Sequence, residues 1–119
     1  MVIEIPGINV EKGLELCDGD TDMYLRFLRR YVSSMPGTLD KIRTVSAETL
    51  RNYAIGIHGA KSISEYVGAE EASNTARKLE ALANAGDLDG VLAQNSAFIK
   101  YAEDLTENAR VWLEKNAPA

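Results

Sequence analysis

Residues 54–71 read AIGIHGAKSISEYVGAEE and hold His58, the single histidine of the chain. Around them Leu50, Tyr53–Ala54, Ile57, Ala60, Ser64 and Val67 recur at the spacing of one helical face. That pattern predicts a helix over 47–67, with Ser46 as its N-cap and Gly68 as its left-handed stop. His58 falls about 100° round from Ile57, at the edge of the buried stripe. Lys61, Ser62 and Glu65 follow at i+3, i+4 and i+7 and share its face, and Ile55 precedes it by one turn. Glycine in a helix interior costs roughly 1 kcal/mol against alanine. Gly56 and Gly59 beside one histidine therefore predict that something approaches the backbone closely.

Outward from this segment the chain reads as helix throughout. Residues 9–17, NVEKGLELC, form a short element with Asn9 as cap and Val10, Leu14 and Cys17 on one face. Asp20 caps the next helix, Asp22 suits its first turn, and Met23, Tyr24, Phe27, Leu28, Tyr31 and Val32 make its stripe. Pro36-Gly37 is expected to kink or interrupt that helix near Met35, with Leu39, Ile42 and Val45 resuming the pattern. A further helix spans 70–85, with Ala72, Ala76, Leu79 and Leu82–Ala83 inward, and Gly86 ends it. Asp87 opens the last one, which carries Leu88, Val91, Leu92, Phe98, Ile99, Ala102, Leu105, Ala109 and Trp112. No segment alternates with a period of two. The expectation is an all-α domain over 1–119: an antiparallel up-down four-helix bundle with a short additional N-terminal helix.

Composition narrows the function classes. With 13 basic against 18 acidic residues the net charge is −5, the wrong sign for a nucleic-acid or anionic-membrane binder. Cys17 is alone, so no internal disulfide forms and a reducing, cytoplasmic setting is expected. No apolar run nears the ~20 residues of a membrane span. Asp18, Asp20 and Asp22 begin like a calcium loop, but Met23 and Arg29 stand where glycine and glutamate are needed. One histidine and one cysteine do not build a zinc site. A Cys17–His58 nucleophile pair lacks a third, orienting residue. Trp112, Tyr24 and Tyr31 read as core, and there is no glycine-rich phosphate loop for ATP.

A lone histidine near a lysine is an ordinary surface feature, since isolated titratable groups seldom mark sites. Here the spacing adds weight. HGAKSISEYVGA resembles the signature of histidine-containing phosphotransfer (HPt) domains, with His58, Lys61, Ser62, Gly68 and Ala69 in the matching places. The lead-in IPGINVEKGLELCDGDTDMYLRFLRRY and the later ARKLEALANAGDLDGVLA are similar to the same family. Ser62 departs from the family's usual glycine, and Gly59 replaces a larger residue. The resemblance implies a relay without kinase activity of its own. His58 would take a phosphoryl group from an aspartate of one response-regulator receiver domain and pass it to another. Lys61 would offset phosphoryl charge, and Ile55, Gly59, Ser62 and Glu65 would form the docking surface. Partners would be receiver domains or a hybrid histidine kinase, with Mg²⁺ on the receiver, no cofactor in this chain and a monomeric state. The alternatives are the phosphoacceptor domain of a chemotaxis-type kinase and a helical interaction module with an incidental histidine. A kinase dimerisation hairpin fits less well, because Gly59 follows the histidine in place of glutamate and no proline comes a turn later.

Overall fold

The computed structural model describes residues 2–117, and among them there are five helices and no strand. They are α1 (Val10–Leu16), α2 (Thr21–Ile42), α3 (Leu50–Val67), α4 (Glu70–Asn84) and α5 (Leu88–Asn116). Polar caps set most starts. The side chains of Asn9, Asp20 and Asp87 accept hydrogen bonds from the amides of Lys12, Met23 and Gly90 at 3.1, 3.1 and 2.9 Å. At the end of α3 Gly68 adopts φ +83°, and the amides of Gly68 and Ala69 return to the carbonyls of Glu65 and Ser64. This doubly bonded stop needs the left-handed conformation that glycine supplies without strain.

Three expectations are corrected. Pro36 and Gly37 do not interrupt α2, which runs unbroken to Ile42, leaving Val45 in the following loop. Pro36 has no amide to give Val32, a defect of about 3 kcal/mol. Both Pro36 and Gly37 face solvent, however, while Met35 and Leu39 are buried on the opposite side. Burying those two side chains stabilises by roughly 1.5–3 kcal/mol each, enough to carry the helix through. Ser46 does not cap α3 either. The Thr49 hydroxyl accepts from the Ser46 amide at 2.8 Å and holds 46–49 as a turn, so α3 begins at Leu50. Met23 and Leu92, expected inside, are exposed. On α5 the inward place near Leu92 belongs to Asn95.

The packing forms a ring: α2 on α3, α3 on α4, α4 on α5 and α5 back on α2, with α1 laid against α3 and α2. The inward face of α2 is bulky, with Tyr24, Leu28, Tyr31, Met35, Leu39 and Ile42 fully or almost fully buried. That of α4 is small, built from Ala72, Ser73, Ala76, Leu79 and Ala83. Small side chains let two helix axes approach closely. The α3–α4 seam is therefore narrow enough for polar side chains at its rim to meet across it.

Candidate functional site

His58 lies mid-way along α3, on the flank that faces α4. Its side chain is 57% exposed, as the edge position on the helix requires. Across the seam stands Glu80 of α4, one residue beyond the buried Leu79. One Glu80 oxygen meets His58 Nδ1 at 2.7 Å, and the other accepts from Lys61 Nζ at 2.9 Å. A single carboxylate thus bridges the two residues that the sequence singles out. Lys61 and Glu80 are only 18% and 19% exposed, so this ion pair is partly desolvated while the imidazole is open.

The electrostatics follow from that arrangement. The hydrogen bond from the Lys61 ammonium holds the Glu80 carboxyl below its ordinary range, and the His58 contact acts the same way against the opposing effect of burial. A carboxylate on Nδ1 favours the tautomer with its proton there, and among the described residues Nε2 has no hydrogen-bond partner. The site accordingly presents an exposed imidazole that is held in place at Nδ1.

The glycines divide between two roles. A Cβ on Gly56 would lie 2.6 Å from Ile42 Cγ2, so this glycine serves the close packing of α3 on α2. It is not there for an approaching ligand, as the sequence had suggested. A Cβ on Gly59 would meet nothing within 4 Å, and that position is open. Ile55 is 69% exposed and stands on a crest between two shallow hollows. One, about 580 Å³, lies between α3 and α4 and is lined by Arg51, Ala54, His58, Glu80 and Ala83 among others. The second, about 450 Å³, lies between α2 and α3 over Thr38, Lys41, Asn52, Gly56 and Gly59. Ser62 is half-buried, and Glu65 pairs with Arg77 of α4 at 3.0 Å on the His58 side.

Sequence reasoning missed Glu80. Its one legible signal is an acid immediately after an inward leucine, at the rim of a helix whose other inward residues are small. Cys17 is buried at the end of α1, and burial raises its thiol pKa, which suits a packing role. Among the described residues no three His, Cys, Asp or Glu side chains converge as a metal site, and no helix is long and apolar enough to cross a membrane. Comparison with protein-family models, curated proteins and solved structures finds no match.

Proposed function

We propose that this chain is a histidine phosphotransfer domain that relays a phosphoryl group between receiver-domain aspartates through phosphohistidine at His58. The observation that carries the reading is the exposed imidazole whose Nδ1 is held by Glu80, itself held by Lys61. In the forward step the Nε2 lone pair attacks the phosphorus of a phosphoaspartate, the N–P bond forms and the P–O bond to the aspartate breaks. The aspartate leaves as a free carboxylate. The positive charge that arises on the ring is balanced by Glu80 at the Nδ1–H end. Phosphoryl transfer rests mainly on positioning and charge neutralisation, which these residues are placed to give. Lys61 acts first through Glu80, keeping it ionised, and also brings an ammonium close to the incoming phosphoryl oxygens. The aspartate and Mg²⁺ are the receiver's.

The same reading takes the fold as an antiparallel up-down four-helix bundle with α1 as the extra helix. The closed ring of helix neighbours supports it, as do the connections of two residues between α3 and α4 and three between α4 and α5. It takes the domain as a cytoplasmic monomer serving receiver domains or a hybrid kinase. The phosphoacceptor domain of a chemotaxis-type kinase would use the same atoms and differs only in its donor.

The test is incubation with receiver domains charged by acetyl phosphate. An acid-labile, base-stable label should appear on the wild-type chain and be absent from His58→Gln. The melting temperature of that variant should stay within about 2 °C of wild type, because the imidazole is exposed. A label retained by His58→Gln removes His58 as acceptor. No label on the wild type from any receiver favours the interaction-module reading.

A further inference from the structure

Each of the two hollows beside Ile55 holds one cation that forms no ion pair among the described residues: Lys41 over α2 and Arg51 over α4. Both are exposed. His58 lines only the hollow of Arg51, and the Ile55 crest parts it from Lys41. Lys61 does not line that hollow. Its ammonium is only 18% exposed and is engaged by Glu80 at 2.9 Å. Glu80, the one acid lining the hollow, has an oxygen on each of His58 and Lys61, so its charge is matched at that end. The imidazole therefore shares its basin with one uncommitted guanidinium.

The spacing along α3 accounts for the shared basin. Arg51 precedes His58 by seven residues, which is about 20° short of two full turns and about 10.5 Å along the axis. Ala54 stands between them on the same face, three places after Arg51 and four before His58. Its single methyl, with Ala83 across the seam, makes a floor low enough for a long side chain to lie over. Helical side chains lean towards the N-terminus, so the imidazole tilts towards Arg51 and away from Lys61. A phosphoryl group on Nε2 lengthens that reach.

We propose that Arg51 binds the transferred phosphoryl group: its guanidinium closes over Ala54 and pairs with the phosphoryl oxygens at Nε2 of His58. The proposal rests on the phosphotransfer reading and deepens it by naming the residue that meets the group being carried. It divides the work between two cations. Lys61 holds Glu80 and through it the Nδ1 end of the ring, whereas Arg51 meets the oxygens directly. The planar guanidinium fork suits that task, because it offers two donors to two oxygens of one phosphoryl group.

The experiment labels His58 with phosphoramidate, which needs no protein partner. Nε2 bonds to phosphorus, the P–N bond of the donor breaks and ammonia leaves, while the Nδ1 proton stays with the ring beside Glu80. Wild type, Arg51→Gln, Arg51→Lys and Lys41→Gln are compared in labelling rate and, by phosphorus NMR, in the second ionisation of the bound phosphoryl group. A guanidinium beside that group favours its doubly charged form. Arg51→Gln should therefore raise the phosphoryl pKa by at least half a unit, roughly, and slow labelling about five- to twentyfold. Arg51→Lys should recover part of both effects. Lys41→Gln removes the same charge from the other hollow and should shift the pKa by less than about 0.2 unit. Melting temperatures should stay within about 2 °C of wild type, because both cations are exposed. Equal shifts in Arg51→Gln and Lys41→Gln, or a shift in neither, overturn the proposal and leave the relay intact. Slower labelling of Arg51→Gln with an unshifted titration overturns it too, since Arg51 would then act on the helix and not on the phosphoryl group. Failure of phosphoramidate and every charged receiver to label the wild type removes the relay reading and this one with it.

Discussion

At the scale of the residue, the proposed role of His58 turns on Glu80, which holds its imidazole and the Lys61 ammonium together. The sequence made His58 and Lys61 conspicuous because both sit on one helix, where i and i+3 are neighbours by rule. Glu80 comes 19 residues after Lys61, and only the packing of α4 on α3 makes it their partner. No local rule could have paired them. The consequence is testable through pH. Glu80 is held below its ordinary carboxyl range, first by Lys61 and then by His58. Its stabilising contribution is therefore complete above the ordinary value of 4.5 and is lost as pH falls through the lower folded-state value. Glu80→Gln should be less stable than wild type by on the order of 1 kcal/mol at pH 7. In urea titrations that gap should close towards pH 3. The same variant should slow phosphoramidate labelling of His58 several-fold at pH 7, since the ring loses the charge that balances it. An unchanged labelling rate would leave Glu80 a merely structural partner.

At the scale of the element, local rules succeeded where local forces decide and failed where packing does. The capping side chains of Asn9, Asp20 and Asp87, and the stop at Gly68, involve neighbours a few residues apart and were readable in the chain. The interruption expected at Pro36 does not occur, because burial of Met35 and Leu39 outweighs the lost bond. Gly56 and Gly59 looked alike in the sequence and are not alike in the fold. Gly56→Ala should destabilise by about 1–3 kcal/mol, because its Cβ would press on Ile42 in a packed seam. Gly59→Ala should stabilise by roughly 0.4–1 kcal/mol, because its Cβ has room and the unfolded chain loses freedom. Chemical denaturation of the two variants side by side checks both signs. If both were stabilised, the close contact of α3 with α2 at this point would be wrong.

At the scale of the whole molecule, helix order and the inward stripes were legible, but the buried polar link was not. Asn95 sits 4% exposed in α5, accepting from the Tyr53 hydroxyl at 2.7 Å and donating to the Ile42 carbonyl at 2.7 Å. It joins α5 to the first turn of α3 and caps a carbonyl at the end of α2, so it helps to fix where α2 stops. An asparagine among apolar positions reads as a surface residue, and its partners are 42 and 53 residues away. Asn95→Leu should destabilise by about 2–4 kcal/mol, since it leaves a buried hydroxyl and a buried carbonyl unsatisfied. Tyr53→Phe should cost about half as much, because only one bond is lost. Thermal melts followed by helical circular dichroism measure both. An Asn95→Leu variant as stable as wild type would mean that water replaces the link.

The hydrogen bond from the Asn9 amide to the Gly68 carbonyl, at 2.8 Å, joins the segment before α1 to the stop of the His58 helix. Asn9 Nδ2 also donates to Glu70 at the start of α4. The Tyr24 hydroxyl donates to the neighbouring Val67 carbonyl at 2.8 Å. The Asn9 amide can therefore exchange its hydrogen for deuterium only when this corner opens. Its exchange rate is a built-in gauge of how often the far end of the His58 helix comes loose, readable in the native protein without altering a residue.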